Sequence, residues 1–300
     1  MAQTKPAFSN LGKLYWPDEG ITKGDLIHYY ESMAPYILPY LKNRPLSLKR
    51  NPNGIKDNGF YHKDAGDIAP SWMKTADIHA ESVNKIIHYL VCNNTRSLLF
   101  IANLGCIEMN PWNSVIASLD KPDYLILDID PSEKNSFDDV IEVALCAREI
   151  LDRLKIQSCC KTSGASGMHI YIPCGRKYEY DLIREFARIL ATMIHEQLSS
   201  LTTLERSLAK RKKNQVYVDF LQNSRGQSLA SAYSVRPKPG ATVSTPLEWK
   251  EVKHGLHPSQ FTLKNIKKRV DKKGDLFKNV LGKGINIPAI LKEVQPEMAE

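Results

Sequence analysis

Two apolar, strand-like segments that carry aspartates constrain this chain more than any other feature. Residues 124–131, YLILDIDP, form an apolar run that ends in Asp128 and Asp130. Side chains alternate along a strand, so both carboxylates are predicted to lie on one face. Burying two unpaired carboxylates is costly, and a divalent cation such as Mg²⁺ or Mn²⁺ removes that cost. Alternatively, the strand ends at Leu127 and both acids are solvated turn residues.

A third carboxylate lies in a second apolar strand, VYVDF, at residues 216–220. Val216, Val218 and Phe220 share one predicted face, and Tyr217 and Asp219 share the other. Three carboxylates on strands can hold two divalent ions, an arrangement that stabilises the attacking and leaving oxygens of a phosphoryl displacement. The alternative for Asp219 is a structural ion pair with a nearby lysine or arginine.

Two further segments carry candidate phosphate ligands. The turn 161–169, KTSGASGMH, has small residues whose backbone N–H groups can approach an anion, although a turn of this kind is often only a hairpin. His169 is predicted on the same strand face as Tyr171, where it can donate to a phosphate oxygen. Arg236 ends a strand-like run and offers a planar fork for phosphate, or else is a surface arginine.

The charge is uneven along the 300 residues, which include 41 Lys+Arg and 33 Asp+Glu for a net charge of +8. Residues 264–283 carry eight basic and two acidic residues, and 206–213 form a second basic cluster. Such clusters favour a polyanion such as nucleic acid, while a solvated helix face explains them equally well. The 42% hydrophobic content is typical of a globular chain with one large domain or two smaller ones.

Cysteine spacing and hydropathy bear on the compartment. The six cysteines form no C-x-x-C pair, which predicts reduced thiols and no zinc site. The first ten residues contain no apolar signal region, and the longest apolar stretch, 97–107, is well below the roughly 18 residues of a membrane span. We therefore expect a cytoplasmic protein.

Hydrophobic periodicity predicts alternating helices and strands, and hence an α/β or α+β fold. We expect one catalytic domain, with an N-terminal module of about residues 1–120 packed on a core of about 121–285 and a short C-terminal tail. Pro35 and Pro39 are expected to break or bend the end of the first helix. The predicted helices are 22–41, 136–154 and 180–198, and the predicted strands are 97–101, 124–129, 156–161, 168–172, 216–221 and 229–235.

A set of longer motifs carries a family resemblance over nearly the whole chain. They are SNLGKLYWPDEGITKGDLIHYY, RPLSLKRNPNG, GFYHKD, NLGCIEMNPW, LDIDP, KTSGASGMHIYIP, VYVDFLQNSRG and AYSVRPKPGATVSTPLEW. In this order they resemble the polymerase domain of bacterial ligase D and its stand-alone archaeal relatives, in the archaeo-eukaryotic primase superfamily. The resemblance implies a primase-polymerase catalytic fold with mixed central sheets flanked by helices.

The resemblance also implies roles for the metal and nucleotide ligands. Asp128 and Asp130 would bind two Mn²⁺ or Mg²⁺ ions, and Asp219 the ion that activates the 3′-hydroxyl. The incoming triphosphate and sugar would contact Ser163, His169, Arg236 and Lys49.

The remaining implied roles concern the DNA. Phe60 and Tyr61 match an aromatic pair beside the nucleotide and template bases. Lys13 and Lys23 match two lysines that bind the 5′-phosphate of the downstream strand. The chain departs from the family at Ser166, where lysine or arginine is common, and at Asn110 and Asn113, where histidines are usual. Ser166 therefore supplies no positive phosphate contact, and an asparagine, unlike a histidine, can donate and accept hydrogen bonds but cannot carry a charge.

The implied activity is that of a repair polymerase of non-homologous end joining. It would extend 3′-hydroxyl ends and fill gaps with NTPs or dNTPs, with a preference for ribonucleotides. Its partners would be 5′-phosphorylated DNA ends, a separate DNA ligase and a Ku-type end-binding protein, in association with a prokaryotic nucleoid. Two alternatives are a primase that starts chains de novo and a non-catalytic end-binding module. The lack of zinc-type cysteine spacing argues against the first, and the three carboxylates argue against the second.

Overall fold

The computed structural model describes residues 7–294 and has a mixed α/β fold, as predicted. The strands are β1 (Leu14–Trp16), β2 (Ile21–Thr22), β3 (Leu46–Arg50), β4 (Phe60–His62), β5 (Thr75–Ala80), β6 (Lys85–Leu90), β7 (Cys106–Pro111), β8 (Tyr124–Pro131), β9 (Cys159–Thr162), β10 (Met168–Pro173), β11 (Thr202–Thr203), β12 (Val216–Asp219) and β13 (Pro246–Leu247). The α-helices are α1 (Lys23–Leu41), α2 (Thr95–Asn103), α3 (Phe137–Arg153), α4 (Tyr180–Gln197), α5 (Ile266–Lys273) and α6 (Ile287–Val294).

These elements form two compact units. Unit 1 comprises 7–117, 228–245 and 258–275, and unit 2 comprises 118–227, 246–257 and 276–294. Unit 1 contains the three-stranded sheet β4-β3-β7, the β5-β6 hairpin and the short β1-β2 pair. Unit 2 contains one six-stranded sheet in the order β11-β12-β8-β10-β9-β13.

The unit 2 sheet has one apolar face because its central strands alternate. In β8, Leu125, Leu127 and Ile129 are fully buried and lie opposite apolar residues of β10 in the antiparallel register. Helices α3 and α4 pack against β8. Burial of apolar area between these layers drives this part of the fold, and every second residue of β8 is left on the other face.

Capping signals in the sequence locate two helix starts. Thr22 with Asp25 caps α1, and Ser136 with Asp139 caps α3, each through a reciprocal capping box. Both predicted starts are confirmed. Pro35 and Pro39 lie inside α1, which continues to Leu41, so neither proline ends the helix. Burial of the last turn offsets the hydrogen bonds that the prolines remove.

Two predicted strands are wrong. Residues 97–101 belong to α2, because the Asn94 side chain accepts from the Ser97 N–H and caps a helix there. Residues 229–235 form turns that end in an isolated bridge between Val235 and Val243. In both segments an apolar run without clear alternation was compatible with more than one structure.

The hydropathy of the helices agrees with the short apolar runs in the sequence. Within residues 7–294, none of the helices combines the length and hydropathy that crossing a membrane requires.

Candidate active site

A row of polar side chains crosses one face of the unit 2 sheet. Asp219 of β12 lies directly opposite Asp128 of β8, Asp128 lies opposite His169 of β10, and His169 lies opposite Lys161 of β9. Residues directly opposite in antiparallel strands point to the same face. The prediction that β8 ends in two strand-borne carboxylates is confirmed, since β8 continues through Asp130 to Pro131.

Asp130 extends this polar face by one pair. It lies opposite Tyr217, so both aspartates of β8 and both polar residues of β12 share the face. The three aspartates line a cleft of about 500 Å³ together with basic and polar residues of unit 2. The other cleft residues are Arg206, Leu208, Arg211, Tyr217, Leu221, Gln222, Ser224 and Gln227.

His169 is a buried link between a lysine and an aspartate. The Lys161 Nζ lies 2.7 Å from His169 Nδ1, and His169 Nε2 lies 3.3 Å from Asp128 Oδ1. A lysine ammonium only donates, so the hydrogen-bond network assigns Nδ1 as acceptor and Nε2–H as the donor toward Asp128. Lys161 thus fixes the ring orientation and tautomer of the histidine.

The carboxylate of Asp219 is held from its own strand and the following turn. Its Oδ1 accepts from Tyr217 OH at 3.1 Å and from the Leu221 N–H at 2.7 Å, and its Oδ2 accepts from Gln222 Nε2 at 3.0 Å. These bonds orient the Asp219 carboxylate through neutral donors. The alternative of a structural ion pair for Asp219 has no counterpart among the salt bridges found within residues 7–294.

The pKa of Asp130 is shifted by burial and by its charged neighbours. Although solvent reaches part of its side chain, crowding by protein atoms removes enough water to raise the pKa of the carboxyl above its ordinary value. The Arg211 guanidinium lowers this pKa and the Asp219 carboxylate raises it. In residues 7–294, no three His, Cys, Asp or Glu side chains are grouped so as to hold a metal ion.

The turn between β9 and β10 is organised around Ser163. Its Oγ accepts from the Ala165 N–H and the Gly167 N–H, both at 3.1 Å. A Cβ on Gly167 would lie 2.2 Å from the Ile129 carbonyl oxygen, which explains the glycine. Two of the N–H groups expected to face an anion are therefore bonded within the turn, and Ser166 is exposed at its tip.

Unit 1 carries a second polar row across its three-stranded sheet. Tyr61 of β4 lies opposite Lys49 of β3, and Lys49 lies opposite Glu108 of β7. Lys49 Nζ lies 4.8 Å from the centre of the Tyr61 ring and donates to the Gly59 carbonyl at 2.8 Å. Arg236 Nε donates to Glu108 Oε2 at 2.7 Å.

The two aromatic residues of β4 are exposed and point to opposite faces. Phe60 is 46% exposed and Tyr61 is 61% exposed. The Arg50 guanidinium lies 5.3 Å from the centre of the Phe60 ring, so each ring has its own cation. Exposed aromatic faces beside cations suit stacking on nucleobases.

Lys13 and Lys23 lie close together at the entrance to α1. The Lys23 N–H donates to the Lys13 carbonyl at 2.8 Å. Lys23 is buried, its Nζ donates to the Ser9 carbonyl at 2.9 Å, and Lys13 Nζ donates to Asn53 Oδ1. Burial and the Lys13 charge both lower the pKa of Lys23. Two mutually repelling ammonium groups favour an anion near them.

Asn110 of the NLGCIEMNPW segment and Asn113, which follows that segment directly, are both buried. Asn110 lies opposite Ser47 on the face of β7 that carries Glu108. The carbonyl of Asn113 accepts from Arg44 Nη1 at 2.8 Å.

Sequence reasoning missed the residues that hold the predicted ones in place. Lys161 and Glu108 lie in the family motifs, but nothing in the sequence assigned them a role. Tyr217 was predicted only to share a strand face with Asp219. The contact between Lys161 and His169 could have been predicted locally, because the two residues lie on strands joined by a short turn. The contact of Glu108 could not, since its partner Arg236 lies 128 residues away.

Comparison with proteins of known structure identifies the fold. The polymerase domain from Mycobacterium tuberculosis ligase D, solved in complex with DNA, superposes with a TM-score of 0.85 at 24% identity, covering 94% of this chain and all of that one. The fold is therefore that of a primase-polymerase domain.

Sequence comparison identifies the family. The family model "LigD, primase-polymerase domain" matches residues 22–277, and the chain belongs to this family of nucleotidyltransferases, which generally use divalent metals. The bifunctional non-homologous end joining protein LigD of Bacillus subtilis is 30% identical over 280 residues, covering 92% of this chain and 44% of that protein. The multifunctional LigD of Pseudomonas aeruginosa is 29% identical over 263 residues, covering 86% and 30%. The chain thus spans less than half of either relative.

Proposed function

We propose that this protein extends 3′-hydroxyl ends and fills gaps with nucleoside triphosphates during repair of DNA double-strand breaks by end joining. The observation that carries the proposal is the row Asp219–Asp128–His169–Lys161 across one sheet face, with Asp130 beside it. Three carboxylates on one polar face are suited to nucleotidyl transfer rather than to passive end binding. Family membership supports the same reaction class.

Asp128, Asp130 and Asp219 are the residues proposed to hold two Mg²⁺ or Mn²⁺ ions. The donor chemistry fits, because all three are hard oxygen ligands on one face and line one cleft, although within residues 7–294 they are not already grouped as a metal site. Burial raises the pKa of Asp130, with a smaller contribution from the Asp219 charge, and a bound cation would offset both. When bound, such ions stabilise the attacking 3′-oxygen and the leaving pyrophosphate oxygen. Asp128 and Asp130 contact both ions in the proposal, and Asp219 contacts the one nearest the 3′-hydroxyl.

Four residues are assigned to the incoming nucleotide. The His169 ring, oriented by Lys161, and the Ser163 turn are proposed contacts to the triphosphate and sugar. Arg236 and Lys49 are proposed to bind phosphate oxygens, since a guanidinium and an ammonium give charge-assisted hydrogen bonds. Phe60 and Tyr61 are proposed to stack beside the nucleotide and template bases.

Lys13 and Lys23 are proposed to bind the 5′-phosphate at the far side of a gap. Burial and, to a smaller extent, the charge of Lys13 lower the pKa of Lys23, and a phosphate monoester, which is more negative than a diester, would offset both effects. This contact would direct the enzyme to gaps rather than to simple primer ends.

The relatives support the proposed DNA substrate and protein partners. The Mycobacterium tuberculosis domain was solved with DNA, and the curated relatives are end joining proteins by name. We propose that broken DNA ends are the substrate, that ribonucleotides are preferred, and that a DNA ligase and a Ku-type protein act on the same ends.

The test is extension of a fluorescent primer across a short gap, with and without a 5′-phosphate on the downstream strand. We expect incorporation that requires Mg²⁺ or Mn²⁺, is faster with NTPs than with dNTPs, and is stimulated by the 5′-phosphate. A folded protein that binds the gapped duplex but adds no nucleotide with either metal would contradict the proposed reaction.

Two controls separate the alternatives. A single-stranded template without primer tests synthesis de novo, which we expect to be absent. The Asp128→Ala, Asp130→Ala double variant should bind the duplex without extending it, which distinguishes catalysis from a contaminating polymerase.

A further inference from the structure

The buried carboxylate of Glu108 lies in the NLGCIEMNPW segment and has no part in the proposed function. It occupies the middle of β7 and is 4% exposed. Its Oε2 accepts a hydrogen bond from Arg236 Nε at 2.7 Å, and the arginine side chain is itself only 17% exposed. Leaving a carboxylate this deeply buried without a hydrogen-bond partner would be costly, and the Arg236 guanidinium provides that partner.

The backbone that carries Arg236 is fixed by tyrosines of α1. Tyr233 has a positive φ of 66°, and its carbonyl accepts from the Tyr29 hydroxyl at 2.7 Å. The Val235 N–H donates to the Tyr30 hydroxyl at 3.1 Å. The Arg236 N–H donates to the Thr242 carbonyl at 2.8 Å. The main chain before Arg236 is therefore anchored on both sides, and the remaining freedom lies in the arginine side chain.

The side chain is held by the nitrogen nearest its stem. Nε–H is one of five guanidinium donors, and a bond through Nε restricts the rotation of the side chain while the two terminal nitrogens extend further from the backbone. The neighbourhood is charged, since Lys49 lies opposite Glu108. Burial raises the pKa of Tyr61, the Glu108 charge raises it further, and the Arg236 charge lowers it. Glu108 thus lies among two cations and an exposed ring.

We infer that Glu108 is a positioning residue for nucleotide binding: it holds the Arg236 guanidinium in the orientation that a triphosphate requires. The inference rests on the proposed role of Arg236 in that function. An arginine ordered before the nucleotide arrives loses little further side-chain entropy on binding, so the affinity is higher. If Glu108 only neutralised Arg236, its removal would instead strengthen phosphate binding. The two possibilities therefore predict opposite changes in nucleotide affinity when the Glu108 charge is removed.

The experiment measures the KM for GTP in gap filling and the equilibrium dissociation constant for GTP with MgCl₂, using the full chain. We expect Glu108→Gln to raise both by about fivefold with kcat nearly unchanged. Glu108→Asp keeps the charge and is one methylene shorter, so it cannot reach Nε in the same geometry. We expect it to give an intermediate increase, whereas simple neutralisation predicts wild-type behaviour.

A double-variant cycle and a matched control complete the design. In an Arg236→Gln background, Glu108→Gln should cause no further increase in the KM for GTP. Asp123→Asn removes another buried carboxylate that pairs with an arginine Nε, that of Arg176 at 2.9 Å, in unit 2. We expect Asp123→Asn to leave the GTP constants at the wild-type values.

The possible outcomes separate this inference from the proposed function. A lower or unchanged KM in Glu108→Gln, an increase that persists in the Arg236→Gln background, or an equal increase in Asp123→Asn would overturn the positioning role while wild-type extension stands. If wild type neither binds GTP nor extends the primer, the proposed function fails and the inference fails with it. If Glu108→Gln does not fold, Glu108→Asp decides alone: wild-type GTP constants in this variant would overturn the positioning role, and an increase would support it.

Discussion

The polar rows on the two sheets share one construction and differ in chemistry. In unit 2, Asp219, Asp128, His169 and Lys161 follow one another across four antiparallel strands, and in unit 1, Tyr61, Lys49 and Glu108 follow one another across three. The unit 2 row, together with Asp130, is rich in carboxylates, and its histidine and lysine are buried. The unit 1 row ends in an exposed ring and pairs its carboxylate with Arg236.

This difference in side-chain chemistry indicates that the two polar rows have different functions. Carboxylates on a rigid sheet favour cations, whereas a lysine, an arginine and an exposed ring favour phosphate and a base. A buried partner, Lys161 in one row and Glu108 in the other, fixes the side chain proposed to contact the nucleotide. Loss of a residue from the unit 2 row should therefore affect chemistry, and loss from the unit 1 row should affect affinity.

The largest expected effect is on the unit 2 carboxylates. Asp128→Ala, Asp130→Ala or Asp219→Ala should reduce extension by at least about a hundredfold, because stabilisation of the transition state depends on them. DNA binding should change little, since phosphate contacts supply most of the affinity. Primer extension and fluorescence anisotropy on one preparation check both statements. Near-normal extension by the folded Asp128→Ala, Asp130→Ala double variant would contradict the assignment of these aspartates as metal ligands.

The next effect tests the unit 1 row. Arg236→Ala should raise the KM for nucleotide about tenfold or more, the cost of a charge-assisted hydrogen bond. The dissociation constant for gapped DNA should remain close to that of wild type. A loss of DNA affinity at constant nucleotide KM would show that Arg236 does not contact the nucleotide. It would also contradict the division of tasks between the two polar rows.

A smaller effect is expected at the buried end of the unit 2 row. Lys161→Met should lower kcat about tenfold, since Lys161 orients His169, and His169 in turn contacts the proposed metal ligand Asp128. Because Lys161→Met also removes the buried donor to His169 Nδ1, we expect a lower thermal stability as well. Steady-state kinetics measure the change in kcat, and thermal unfolding measures the change in stability. If activity falls only in proportion to folded protein, Lys161 has a structural role alone.

The lysine pair of unit 1 should give a still smaller, substrate-selective effect. Replacing Lys13 and Lys23 with alanine should lower the preference for a 5′-phosphorylated gap about fivefold, toward that for the 5′-hydroxyl gap. Activity on a simple primer-template should be largely unchanged. A double variant that still distinguishes the phosphorylated end would direct attention to the basic residues 264–283.

The smallest expected change is in pH dependence. Because burial and Lys13 lower the pKa of Lys23, its charge is lost at a lower pH than that of an ordinary lysine, and the charge is present below this pKa. The phosphate is already a dianion above neutral pH. We therefore expect the 5′-phosphate preference to decline as the pH rises from neutral toward the ordinary lysine pKa of about 10.4, and to persist in Lys23→Arg, whose cation does not titrate there. A constant preference in wild type across that range would contradict the assignment.

The sequence predicted the features that depend on short-range geometry. Alternation along YLILDIDP and VYVDF placed Asp128, Asp130 and Asp219 on strand faces, and capping boxes located the starts of α1 and α3. It failed at residues 97–101, where the Asn94 cap outweighed an apolar run that looked like a strand. Motif order gave the family, which the family model and relatives confirm.

Strand register was decided only in the tertiary structure. Local alternation fixes which face a side chain takes relative to its own strand, but pairing between strands fixes its neighbours, and a shift of one residue would reverse them. Asp219 meets Asp128 from a strand 91 residues away, and Glu108 meets Arg236 across 128. Such contacts depend on the packing of the apolar faces, so the sequence alone identified the reactive side chains, whereas the folded chain determined which partners orient them.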